Sequence, residues 1–98
     1  MASASSITRL TRRISKQAAK KFPSLAGLDA QELKKLLRHS TLSREDRQIA
    51  ISCLIWDMDY IDIGAAVHMD RTTVSRHMRD VIAPQLEMLM KKQLRAIS

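Results

Sequence analysis

The chain has 98 residues, 45% of them hydrophobic, and a formal net charge of +7. That length and apolar content fit one folded domain with a modest core and exclude a disordered chain. Two glycines, two prolines, three aromatic residues and no alternating β-branched run predict no sheet, only a small all-α helical bundle of about six helices.

The charge is unevenly placed. Arg9, Arg12, Arg13, Lys16, Lys20 and Lys21 give the first 28 residues a charge of +6 with no acid, so the remainder carries only +1. A concentrated basic end calls for a polyanionic partner, with nucleic acid first. Cys53 is the single cysteine and has no internal disulfide partner; its apolar surroundings point to a buried thiol in a reducing, cytoplasmic compartment. His39, His68 and His77 stand at no metal-ligand spacing with it, so no metal and no cofactor is expected. No apolar stretch approaches transmembrane length, and no membrane partner is expected.

Residues 1–41 read as a basic N-terminal helix followed by a leucine-rich helix. Ile7, Leu10, Ile14 and Ala18 lie on one face of a predicted helix from about Ile7 to Lys21, which would offer Arg12, Arg13 and Lys16 to phosphate. A solvated tail and a targeting segment, rich in Ser and Arg and free of acids, are the other two readings of this stretch. Pro23 ends the helix. Asp29 caps the next one, and Glu32 completes an Asp-x-x-Glu start. Leu33, Leu36 and Leu37 form its apolar face.

Residues 42–98 complete the same compact domain. Ser43 caps a scaffold helix placed at about Arg44 to Trp56, whose IAISCLIW stretch should be buried on most sides. Asp59 opens a short helix with Tyr60, Ile63, Gly64 and Val67 as its buried stripe. A turn at Val67-His68-Met69 leads to Asp70, the cap of a second helix reaching Asp80. Val74, Met78 and then Val81 or Ile82 face inward there. This is the spacing of a helix-turn-helix unit. Arg71, Thr72, Thr73, Ser75, Arg76 and Arg79 lie on its outer face. Arg forks onto guanine, while Thr and Ser bond base edges or phosphate. Pro84 then predicts a break and a new helix to about Ala96, with Leu86, Leu89, Met90, Leu94 and Ile97 on one face. That stripe either packs on the core or pairs two subunits into a homodimer.

LSRED at Leu42 to Asp46, DYIDIG at Asp59 to Gly64 and TVSRHM at Thr73 to Met78 resemble the motifs of a known family. The segment from Leu42 to Ile82 is similar to the tetrahelical helix-turn-helix of LuxR-type regulators and of the promoter-binding C-terminal region of sigma factors. The resemblance implies a DNA-binding, transcription-linked role and, for the last helix, subunit pairing. Where that family has glycine after the scaffold helix and in the turn, this chain has Asp57 and His68. Both residue types tolerate the left-handed backbone region better than most.

The leading functional expectation is therefore a sequence-specific transcriptional regulator of bacterial or phage type, binding double-stranded DNA. The alternative is a sigma-like adaptor that binds RNA polymerase or another regulator. No Ser/His/Asp set, glycine-rich phosphate loop or cleft-forming carboxylate pair is present, so an enzyme is not expected.

Overall fold

The computed structural model describes residues 13 to 97, with side chains to residue 92. Its α-helices are α1 (Lys16–Lys21), α2 (Ala30–His39), α3 (Arg44–Leu54), α4 (Tyr60–Val67), α5 (Arg71–His77) and α6 (Ala83–Ile97). A 3-10 turn at Pro23–Leu25 follows α1, and a π turn at Met78–Ile82 joins α5 to α6. No strand occurs among the described residues; the one β-type pairing there is an isolated bridge between Arg13 and Asp29. The protein is a small all-α bundle.

Local chemistry accounts for most helix starts. The Asp29 carboxylate accepts from the Glu32 amide at 2.7 Å, and Glu32 accepts from the Asp29 amide at 3.3 Å, closing a reciprocal cap on α2. Ser43 accepts from the Asp46 amide to start α3, and Asp70 from the Thr72 amide to start α5. Asp59 occupies the cap position of α4, but its side chain makes no capping hydrogen bond.

The N-terminal helix is shorter than its periodicity predicts. Arg13, Ile14 and Ser15 are not helical, and α1 begins at Lys16, with the Ser15 hydroxyl accepting from the Ala18 amide. Tertiary hydrogen bonds hold this entry: the Ile14 amide donates to the Leu28 carbonyl at 3.2 Å, and the Ser15 amide to the Leu54 carbonyl at 2.8 Å. Those bonds replace the intrahelical ones and press Ile14 into the core. Ile7, Leu10 and Arg12 lie outside the described residues.

A second departure follows α5. Instead of breaking before Pro84, the backbone stays helical through His77, Met78 and Ala83, and the Ala83 amide donates to the Met78 carbonyl five residues back. Proline lacks an amide proton and its ring crowds the carbonyl four residues earlier. The wider π turn just ahead of it shifts the register and relieves that crowding. So α5 and α6 form one continuous helical rod.

One apolar cluster takes in every helix. Leu25, Leu33, Leu36, Ile49, Leu54, Ile63, Val74, Met78, Ile82 and Leu86 are fully enclosed. Burying each such side chain is worth about 1.5–3 kcal/mol. Ile82, and not the exposed Val81, continues the inward stripe. Leu86 is 0% exposed, which removes it from any subunit interface: it packs into its own domain. Leu89 and Met90 are half-buried against the same core, and the side chains of Leu94 and Ile97 lie outside the described ones.

The scaffold helix also ends earlier than expected. Its cap is Ile55, the Trp56 amide reaches back to the Ile51 carbonyl, and Asp57 takes a left-handed φ of 53°. This reversal swings Trp56 outward, to 57% exposure.

Candidate nucleic-acid interface

Three residues separate α4 from α5, and their geometry is set by close packing. His68 caps α4 in the left-handed region (φ 58°, ψ 44°), and Asp57 also carries positive φ. The Met69 amide then donates to the Gly64 carbonyl at 2.9 Å. A Cβ on Gly64 would stand 2.3 Å from the Met69 carbonyl oxygen and 3.6 Å from a Val74 methyl. Glycine is needed there because backbone from the turn, and the first buried residue of α5, close directly over α4.

Helix α5 is held from behind by Val74 and Met78. His77 adds a polar anchor: its Nδ1 lies 2.7 Å from Oδ1 of Asp46, a carboxylate buried on α3. A carboxylate accepts only, so the ring donates from Nδ1. Neither residue's role is visible in the sequence, where Asp46 reads as part of a capped first turn.

Of the predicted contact residues, Arg71, Thr72, Arg76 and Arg79 are exposed, while Thr73 and Ser75 are half-buried. Arg79 stands on the π turn, beyond α5 proper, and donates to the neighbouring Asp80 at 3.1 Å. An exposed pair of that kind is worth little and leaves the guanidinium able to exchange partners. Arg13 and Lys16 are exposed at the start of α1; Arg12 lies outside the described residues.

Tyr60 links these two basic regions, a role that the sequence hides. It borders a shallow depression with Arg71, Thr72 and Ser75 of α5. The Lys21 ammonium of α1 lies 4.9 Å from the centre of its ring. Lys21 therefore joins the α5 side of the molecule through an aromatic face 39 residues away in sequence. Burial first, then the neighbouring Cys53 thiol, pushes the Tyr60 phenol up to about 12, so it stays a neutral hydroxyl. Burial likewise raises the Cys53 thiol above its ordinary range, opposed in part by the Tyr60 hydrogen bond. Such a thiol is a packing group at neutral pH.

No protein-family model, curated protein or solved structure matches the chain. No helix among the described residues is long and apolar enough to cross a membrane. The fold and site define an all-α domain that presents a short, rigidly backed helix with cationic and hydroxyl side chains on its outer surface.

Proposed function

We propose that the chain is a sequence-specific DNA-binding transcriptional regulator of bacterial or phage type, with α4 and α5 as a helix-turn-helix unit and α5 as the major-groove reader. The observation that carries the reading is the Gly64–Met69–Val74 contact. It fixes a three-residue turn by backbone packing and leaves Arg71, Thr72 and Arg76 exposed on the helix that follows. Rigid backing matters because base readout requires side chains held to within a fraction of an ångström. In this reading Arg76 and Thr73 meet base edges, while Arg71 and Arg79 fix phosphates. Arg13, Lys16 and Lys21 add a sequence-independent phosphate term.

Selection of bound sequences from random DNA tests the reading. Enrichment of a defined site whose affinity falls with Arg76→Ala supports it, and two inverted half-sites would reveal a symmetric dimer. Failure to enrich any sequence, with a folded protein, would overturn it.

A further inference from the structure

Two surfaces outside α5 complement each other in charge and in apolar character. One is a groove between α2 and α3. Its floor is Leu37 and the half-buried Ile51, and its rims are Lys34 and Arg38 on one side and Arg47 on the other. Among the described residues none of these three cations is in an ion pair. Of the acids on these two helices and their caps, Asp29 and Glu32 serve the cap of α2 and Asp46 bonds His77, while Glu45 is exposed in the first turn of α3 and pairs with none of the three cations. The rims thus present three cations outside any ion pair beside an apolar floor. A phosphate backbone meets the cations of such a groove but leaves its floor unused. An acidic segment carrying apolar side chains meets both.

The second surface is such a segment. Between α3 and the first turn of α4, Met58 and Ile61 are exposed at 38% and 63%. Asp57, Asp59 and Asp62 are exposed among them. Ile61 and Asp62 sit on the outer face of α4, away from Ile63, Gly64 and Val67, which face the core. The stretch WDMDYID contains no cation of its own; the Lys21 ammonium of α1 lies over the Tyr60 ring beside it, which leaves the acids Asp57, Asp59 and Asp62 in excess. Its alternation of acids and apolar groups matches the cationic rims and apolar floor of the groove.

We propose that the α2–α3 groove of one copy takes the Met58–Asp62 segment of a second copy, so that the chain self-associates head to tail. Because the two surfaces differ, the contact is heterologous: each bound pair leaves one groove and one acidic segment free. Association grows with concentration into oligomers longer than dimers, and it weakens as salt screens the rims. Neither surface includes a residue of α5, and Tyr60, the residue of the segment that borders α5, is left unchanged in the variants that test the assembly.

Sedimentation velocity of the full chain, at ionic strengths of about 0.05 M and 0.5 M, tests it. The wild type should form species beyond a dimer at low salt and shift toward the monomer at high salt. One variant, Arg38→Glu with Arg47→Glu, destroys the groove; another, Ile61→Ser with Asp62→Asn, destroys the segment. All four positions are exposed, and circular dichroism checks the fold of each variant. Each alone should lose association by about tenfold or more in affinity, a change of roughly 1.4 kcal/mol. An equimolar mixture should form a heterodimer and nothing larger, because one intact groove meets one intact segment. A monomeric wild type at low salt overturns the proposal. So does a mixture that stays monomeric, or a dimer that survives in both variants, as a symmetric contact through α6 would.

Discussion

The buried carboxylate of Asp46 on α3 lies 2.7 Å from Nδ1 of His77 on α5, and this polar bond crosses the contact between the scaffold and the presented helix. Asp46 is the buried charged residue of an otherwise apolar core among the described residues. A single buried carboxylate without its donor is costly, so the pair fixes which face of α5 turns inward. Replacing Asp46 by Ala should lower stability by about 2 kcal/mol in urea unfolding, whereas Asp46→Asn, which retains an acceptor, should cost about 1 kcal/mol. Equal and negligible losses would show that the bond contributes nothing.

Gly64 carries a steric demand. With Met69 backbone oxygen 2.3 Å from the place of a Cβ, Gly64→Ala must force α4 and the turn apart. A backbone atom has little freedom to yield, so the loss should be about 3 kcal/mol, at the upper end for an overpacked site. Thermal unfolding measures it, and if α5 reads DNA, binding should weaken with it because α5 is displaced.

The left-handed residues store strain that glycine removes. His68→Gly should stabilise the protein by about 0.5–1 kcal/mol, since relief of the Cβ clash outweighs the added freedom of the unfolded chain. Asp57→Gly should gain less, because the Asp57 carboxylate accepts a hydrogen bond from Ser15 at 3.2 Å. Urea midpoints of the two variants check the order.

If Arg76 reads a base, Arg76→Ala should cost about 1–3 kcal/mol on the preferred site and little on random DNA. Arg71→Ala should weaken binding to both alike and reduce the log–log salt slope by about 0.9. Titrations at several salt concentrations separate the two roles; equal losses for Arg76→Ala would make it another phosphate contact.

Tyr60 is the chain's only tyrosine, so the ultraviolet tyrosinate band reports it alone. In the folded protein its midpoint should lie at about 12, against an ordinary 10. The neutral phenol is the form the fold favours. Its stabilising contribution is therefore complete below pH 10 and is lost as the pH rises from 10 through about 12. Urea midpoints of the wild type should fall across that window more steeply than those of Tyr60→Phe.

Sequence alone determined the features whose causes lie within a turn of chain. The Asp29–Glu32 and Asp70 caps, the leucine face of α2 and the stripe of Ile63, Gly64 and Val67 are of this kind, whereas the left-handed places at Asp57 and His68 are expected only from the family resemblance. A cap or a helical stripe involves residues at most a few positions apart, and side-chain chemistry at that range hardly depends on the rest of the molecule. Tertiary structure decided the rest. Whether Leu86 meets a partner or its own core depended on where α6 lies against the bundle, and it lies inward. The late start of α1 depended on backbone bonds to Leu28 and Leu54, and the unbroken path through Pro84 on a π turn. The Asp46–His77 bond and the Lys21–Tyr60 contact join residues 31 and 39 positions apart. Such pairs exist only once the helices have crossed, because the crossing, and not the spacing along the chain, brings the side chains within reach.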